Sequence, residues 1–417
     1  MKLTVDRTRD ILLAGSVSVL LAGLGSFFSL SGFLTTFVVF WIASVTVSFF
    51  TSSLKVPPSG KSVLITGCDS GFGFHLALQL HRLGFDVFAG CLLADSRGEG
   101  AERLREVRSE RLRVLQLDVT SEDQLNEAIH NVKIHLALSG NVLWGLVNNA
   151  GLSAFGDTEW VSVGVYRKIA DVNLFGVIST TKTFLPLLRR SKGGRIVNVS
   201  SMLGRMVHSM GSPYISTKYA VEGFSNCLRL EMRRWGVHVC IIEPGNLLGA
   251  TGICTEEHLK TQTEEMWVSM SDELKEELGG RQGYDLQVSA AMAFGCLGMK
   301  DTTTVTEAMT DALTQKYPRA RYLPMEFYNW AFQLIANYLP ECVFDSACAQ
   351  VMRILARWHQ TIKHRIPLVT EALSWLVSLW SPETYCDWHL GLLETVRTDI
   401  VLVTEIIAHP FGTWRKC

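Results

Sequence analysis

From Ile11 to Leu54 the chain carries no charged side chain, while Arg7, Arg9 and Asp10 precede this run and Lys55 ends it. A bilayer core about 30 Å thick takes roughly 20 helical residues. The run is long enough for two crossings and predicts a transmembrane hairpin with arms over 12–24 and 33–50. Gly25-Ser26 or Ser31-Gly32 supplies the turn. A signal peptide is too short for this stretch, and a mitochondrial transit peptide would be amphipathic and arginine-rich. The competing reading is a buried helical hairpin in a soluble fold. With both arms crossing, Arg7 and Lys55 share one side, and the positive-inside tendency favours a cytosolic catalytic domain. One crossing with one re-entrant arm leaves the orientation open.

After a short linker at Val56-Pro57-Pro58-Ser59-Gly60, apolar strand-like runs alternate with helical periodicity. The strands are expected at 62–66, 86–90, 112–119, 143–148, 195–200 and 237–243. Helices are expected at 74–83, 99–108, 122–138, 166–190 and 214–235. Such alternation implies parallel strands joined by right-handed crossovers, an α/β doubly wound sheet of Rossmann type. From about 251 to 283 the pattern turns irregular and polar, and is read as an insertion covering the substrate. Beyond Glu326 the chain is rich in Trp, Leu and Ile and predicts a helical C-terminal extension. Within it Arg353, Arg357, Lys363 and Arg365 lie among Val351, Ile354, Leu355, Trp358 and Ile362, with Trp375 and Trp380 following, a pattern suited to a lipid interface or to covering the pocket. Three units result: a membrane anchor (1–55), a catalytic domain (56–325) and the extension (326–417).

The balance of 39 basic and 40 acidic residues gives no reason to expect a nucleic-acid partner. An apolar content of 47% and a mean hydropathy of +0.19 are high for a soluble enzyme, and the N-terminal run supplies the excess. Ten cysteines occur without a C-x-x-C pair or a histidine at ligand spacing, which argues against a structural zinc site and a disulfide scaffold. No metal is expected.

Ligands of a doubly wound sheet collect beyond the carboxyl ends of its strands, and the candidate residues fall there. Thr66-Gly67-Cys68-Asp69-Ser70-Gly71-Phe72-Gly73 lies between a strand and a helix. Glycines there let the backbone approach a pyrophosphate, which the helix N-terminus stabilises. Tyr214 and Lys218, spaced i, i+4, share one helix face. A phenol with an ordinary pKa of about 10 is a poor base at neutral pH. A neighbouring ammonium, together with an oxidised nicotinamide, favours the phenolate and draws its pKa toward the working range. Ser201, 13 residues before Tyr214, can hydrogen-bond a substrate oxygen. Asn148-Asn149-Ala150-Gly151 ends another strand, and Asn173 sits inside a helix.

Taken together, over about 60–322, these residues resemble the short-chain dehydrogenase/reductase family: T-G-x-x-x-G-x-G at 66–73, Asp118-Val119, N-N-A-G at 148–151, Asn173, Ser201, Y-x-x-x-K at 214–218 and Pro244-Gly245. The resemblance implies that Tyr214 accepts the proton, and that Lys218 binds the nicotinamide ribose and lowers the tyrosine pKa. It implies that Ser201 positions the substrate oxygen and that Asn173 holds a relay water. Cofactor contacts are implied for Thr66, Gly67, Asp69, Ser70, Gly71, Phe72 and Gly73, and for Asn148, Asn149, Ala150 and Gly151. Asp118 and Val119 would meet the adenine, and Pro244 and Gly245 the nicotinamide end. Stretches such as Trp144–Gly151, Val172–Gly176 and Lys218–Phe224 are similar to the subgroup of retinol dehydrogenases, hydroxysteroid dehydrogenases and (R)-3-hydroxybutyrate dehydrogenase.

Two departures bear on function. The hydroxybutyrate enzymes carry a basic residue three positions before the catalytic tyrosine, suited to a substrate carboxylate; here that position is Gly211, with Arg205 and His208 as the nearest substitutes. Many relatives place a threonine five residues after the proline; here it is Gly249, and Thr251 follows two residues later as the candidate cofactor contact. Asp69 in the glycine loop and Gly90-Cys91-Leu92-Leu93 at the end of the second strand disfavour a 2′-phosphate, so NAD is expected rather than NADP. The expected reaction is hydride transfer from a hydrophobic alcohol, a hydroxysteroid or retinol, to NAD. The alternatives are (R)-3-hydroxybutyrate oxidation and a non-catalytic scaffold on a dehydrogenase fold. Membrane lipid and a second copy of the chain are the other expected partners. The expected site is the endoplasmic reticulum membrane, with a mitochondrial membrane as the alternative.

Overall fold

A computed structural model describes residues 4–27, 32–247, 251, 256–296, 301–346 and 348. Seven strands form one sheet: β1 (Lys61–Thr66), β2 (Asp86–Cys91), β3 (Leu112–Gln116), β4 (Val142–Asn148), β5 (Arg195–Val199), β6 (His238–Ile242) and β7 (Arg321–Tyr322). Their order is β3-β2-β1-β4-β5-β6-β7, and every pair is parallel. The crossover between β1 and β4 is the switch point, where a crevice opens at the carboxyl edge.

Alternation along the strands divides the core into two layers. Val63, Ile65, Val87, Ala89, Val197 and Cys240 face α3 (Gly71–Leu83), α4 (Glu99–Arg105) and α12 (Thr303–Thr314). Leu64, Phe88, Ile196 and Val239 face α5 (Glu122–Ser139), α7 (Val177–Leu188) and α8 (Ser212–Met232).

Two sequence expectations need correction. The helix expected at 166–190 is α6 (Val163–Ala170), a π-helical turn over Asp171–Gly176 and then α7. The stretch read as irregular forms α9 (Glu256–Ser269), α10 (Asp272–Glu277) and α11 (Gly280–Cys296). Its charged outer faces hid a sparse inner stripe of Met266, Met270, Tyr284 and Val288, which packs on Trp160 and Val161. The two-residue β7 and the threonine-rich α12 also went unseen, the first too short and the second too β-branched to read as helix.

The N-terminal run forms α1 (Val5–Phe27) and α2 (Phe33–Ser53), both long and apolar enough to cross a membrane, with their apolar side chains largely exposed. Hydroxyls inside them are satisfied locally: Ser18 donates to Ala14 O at 2.7 Å and Thr51 to Val47 O at 2.8 Å. Both ends of the hairpin are tied to the α12–β7 region. Asp6 accepts from the Leu323 N–H at 3.0 Å, and Asp10 pairs with Arg319 at 2.5 Å. At the other end Lys55 pairs with Asp311, and the Val56 N–H donates to Thr314 O at 2.7 Å. Of the C-terminal extension, α13 (Phe327–Tyr338) and helical residues 341–346 are described. The basic, tryptophan-containing segment from Val351 to Trp380 lies outside the described residues.

Candidate active site

The loops after β1 and β4 are held together by hydrogen bonds that begin at one threonine. The Thr66 hydroxyl accepts from the Asn149 and Ala150 N–H groups, each at 3.0 Å. Asn149 returns its amide to Thr66 O at 2.9 Å and Gly67 O at 3.0 Å. This closeness demands glycine. A Cβ on Gly67, whose φ is +70°, would stand 2.8 Å from the Ala150 Cα, and one on Gly73 would stand 2.3 Å from Gly67 O. Ser70 is the N-cap of α3 yet makes no side-chain capping bond. The first turn of α3 thus presents its N–H groups at the crevice, which suits an anionic ligand.

The other sequence-assigned cofactor positions divide by geometry. Asp69 sends its carboxylate to the end of β2, accepting from Leu92 N–H at 2.8 Å and Leu93 N–H at 3.0 Å. Gly151 sits close against the catalytic group: a Cβ there would lie 3.3 Å from Asn173 Oδ1 and 4.0 Å from Lys218 Nζ. Thr251 lies over the glycine loop, 3.6 Å from where a Cβ on Gly71 would be. Pro244 O accepts from the Met202 N–H at 2.9 Å, which ties the turn after β6 to the loop carrying Ser201, and the Gly245 N–H donates to Pro324 O at 3.1 Å. Phe72 and Val119 are buried, Phe72 within the core cluster on the α3 side of the sheet. Asp118 uses its carboxylate locally, accepting from Thr120 N–H at 2.9 Å and Thr120 Oγ1 at 2.7 Å. Asn148 is turned away from the crevice, its amide donating to Asn198 at 2.8 Å and Thr181 at 3.0 Å.

Ser201, Tyr214, Lys218 and Asn173 converge. Ser201 follows β5 and caps a short 3-10 turn, accepting from Leu203 N–H at 3.1 Å. It also hydrogen-bonds Tyr214 on the first turn of α8. Lys218, one turn on, donates to Val199 O at 3.0 Å, and its ammonium lies 5.3 Å from the centre of the Tyr214 ring. Asn173 sits in the π-helical turn, a form that often marks functional sites. It is fully buried, accepts from Leu152 N–H at 2.8 Å and donates to Thr217 Oγ1 at 3.1 Å.

Burial dominates the charge balance of the pair. Burial pushes the Tyr214 phenol up to about 12, against a smaller downward pull from its bond to Ser201. Burial also pushes Lys218 down to about 8, while Glu222 pulls the other way. Desolvation thus opposes both the phenolate and the ammonium, while the expected downward pull on Tyr214 includes the charge of an oxidised nicotinamide.

Behind this group lies a cluster that sequence reasoning missed. Arg321 pairs with Glu222 at 2.5 Å and with the buried Glu243, which also accepts from Gln333 Nε2 at 2.8 Å. Glu222 is one helical turn beyond Lys218, and Glu243 immediately precedes Pro244. The i, i+4 spacing of Lys218 and Glu222 was a readable signal; the partner on a two-residue strand was not.

Beside Gly211 opens a cleft of about 360 Å³ lined by Asp157, Thr158, Val207, His208, Met210 and Ile215 among others. No arginine or lysine is among the described residues that line it. Burial holds the His208 imidazole below its usual range and lifts the Asp157 carboxyl above its own. Arg205, the other candidate cation, exerts its field on Tyr219.

Comparison with known proteins agrees with this geometry. The family described as short chain dehydrogenase matches residues 61–259. The chain is 44% identical over 287 residues to the mitochondrial D-beta-hydroxybutyrate dehydrogenase of Mus musculus, covering 69% of this chain and 83% of that one. It is 40% identical to Retinol dehydrogenase 7 of Mus musculus over 69% and 87% of the two chains. It is 37% identical to Estradiol 17-beta-dehydrogenase 2 of the same organism over 79% and 86%. At that likeness, and with the sheet and strand-edge residues described above, the chain belongs to the short-chain dehydrogenase family.

Proposed function

We propose that the protein is a membrane-anchored, NAD-dependent dehydrogenase of an apolar alcohol of the retinol or hydroxysteroid type. The cleft beside Gly211 carries this reading. Its lining sets Val207, Met210 and Ile215 among hydroxyls and the Asp157 carboxyl, with no arginine or lysine among the described residues, so a substrate there gains from apolar burial at about 25 cal/mol per Å² and finds no cation. A small carboxylate would need a charged partner, worth about 1.5–3 kcal/mol per hydrogen bond.

In this reading NAD supplies the hydride acceptor. The first turn of α3 would hold its pyrophosphate, and Gly151, Lys218 and Thr251 would border the rest of it. Tyr214 takes the hydroxyl proton of the alcohol as the hydride leaves its carbon. Ser201 donates to the same oxygen and orients it, and Lys218 stabilises the phenolate as it forms. Asn173 holds the Thr217 hydroxyl, which donates to Tyr214 O and ties the π-helical turn to the first turn of α8. NAD is favoured over NADP because the Asp69 carboxylate lies at the end of β2, where a 2′-phosphate would meet like charge. The exposed apolar hairpin, with Arg7 and Lys55 at one end, supports a cytosolic catalytic face on the endoplasmic reticulum membrane.

The likeness to the hydroxybutyrate enzyme favours a second reading, 3-hydroxybutyrate oxidation at a mitochondrial membrane. Full-length protein in detergent, given NAD and a panel of retinol, hydroxysteroids and 3-hydroxybutyrate, separates the two by NADH absorbance. Turnover of an apolar alcohol and little of 3-hydroxybutyrate is expected. The reverse order would replace the first reading with the second.

A further inference from the structure

We propose that α13 is a second membrane contact, an in-plane helix resting on the lipid surface beside the point where the N-terminal hairpin enters it. The observation is an inverted helix. Two of its polar side chains turn into the protein, Asn329 and Gln333 at 6% and 4% exposed, while Asn337 stands at the exposed edge and donates to Arg205 O at 3.0 Å. Gln333 bonds Glu243 in the buried cluster behind the catalytic lysine, and Asn329 bonds Glu326 at 2.6 Å. Its outward stripe is apolar, with Tyr338 77%, Leu334 39% and Phe327 42% exposed, followed by Leu339 at 47%. Positions 327, 334 and 338 follow the i, i+7, i+11 spacing of one helix face. No charged residue occurs between Glu326 and Glu341.

Isolated exposed apolar residues need no explanation, but a contiguous aromatic stripe over a buried polar face does. Its place in the fold names the occupant. Val5, in the first turn of α1, packs in one cluster with Met202, Met206, Leu323 and Met325, and Trp330 and Ala336 of α13 pack against that cluster. Asp6 holds the Leu323 N–H, three residues before Glu326, the N-cap of α13. The uncharged part of α1 begins at Ile11, so α13 packs beside the segment from which the hairpin leaves the domain. Aromatic rings over an uncharged face are the composition that settles at the bilayer interface. The same cluster contains Met202, next to Ser201, so lipid contact there would place the substrate side of the site against the membrane.

This inference rests on the hairpin being membrane-embedded, and the test separates the two. Full-length protein is reconstituted in phosphatidylcholine vesicles with an NBD-bearing residue replacing Tyr338, Leu20 of α1 or Leu138 at the end of α5, one at a time. Spin-labelled lipids, labelled shallow or deep along the acyl chain, then quench the probe. The expected result is loss of emission at 338 with the shallow label, loss at 20 with the deep label, and none at 138. Quenching at 20 with position 338 behaving like 138 overturns the proposal alone. No quenching at 20 overturns the anchor and the proposal together. A probe at 338 that responds only to protein concentration in detergent overturns it in favour of a second copy of the chain.

Discussion

The carboxyl edge of the sheet has two halves built in different ways. At β1 and β4 the backbone is pinned by side-chain hydrogen bonds, Thr66 to two N–H groups and Asn149 to two carbonyls, at distances that forbid a Cβ at Gly67 and Gly73. In the loops and helices after β4, β5 and β6, the half proposed to hold the substrate is closed by packing: Met210, Met266, Met270, Trp160 and Tyr284 from four separate segments share one apolar cluster. A hydrogen-bonded half admits one ligand geometry. A methionine-rich half adapts to shape and selects mainly by apolarity. The contrast fits a family with one cofactor chemistry and many alcohols.

The largest effect should come where the two halves meet. Tyr214→Phe removes the proton acceptor and leaves the pinned half intact. Turnover should fall more than about 100-fold while NAD affinity, measured by calorimetry, stays unchanged. Residual activity near that of the parent would remove Tyr214 from the chemistry.

Next in size is damage to the pinned half. Gly73→Ala sets a methyl against Gly67 O, a backbone atom that cannot swing aside. Overpacking of this kind costs about 1–3 kcal/mol, so NAD affinity should weaken by about 5- to 150-fold. Unchanged NAD binding would mean that the loop is looser than its geometry.

The last effect is on stability rather than on turnover or binding. Lys218 has a folded pKa of about 8 against an ordinary value of 10.5. Between those values the unfolded chain binds more protons, so stability should rise with pH there; the cost of burying the ammonium is full below pH 8 and gone above 10.5. Lys218→Met should therefore be more stable than the parent at pH 7, by up to about 3 kcal/mol, though inactive, with the gap closing toward pH 10.5. Denaturant unfolding at the two pH values measures it. A gap independent of pH would show that Lys218 is not the titrating group.

The same division explains what the sequence disclosed. Six strands, the glycine loop and the convergence of Ser201, Tyr214, Lys218 and Asn173 were legible, because backbone constraints and fixed spacings leave local marks. Asn148 carried the same mark, yet its amide faces Asn198 and Thr181, since neighbouring strand residues point to opposite sides. Helices α9–α11 were hidden because a thin inner stripe of methionine and aromatic residues is diluted by charged outer faces. The Glu222–Arg321–Glu243 cluster joins residues about 20 to 100 positions apart, a closure that only the tertiary fold reveals.

The central claim is that the substrate half selects an apolar alcohol because no cation stands at position 211. A Cβ there would meet only side-chain ends, His208 Cε1 at 2.8 Å and Ile215 Cδ1 at 2.5 Å, so a larger residue can be admitted by rotating them. The direct measurement is kcat/KM for 3-hydroxybutyrate and for a hydroxysteroid or retinol, in the parent and in Gly211→Arg. The substitution should raise the first about tenfold, the worth of one charge-assisted bond, and lower the second by crowding and by burying an unpaired charge. Efficient 3-hydroxybutyrate oxidation by the parent chain, with no crossing of the two values in Gly211→Arg, would contradict the account.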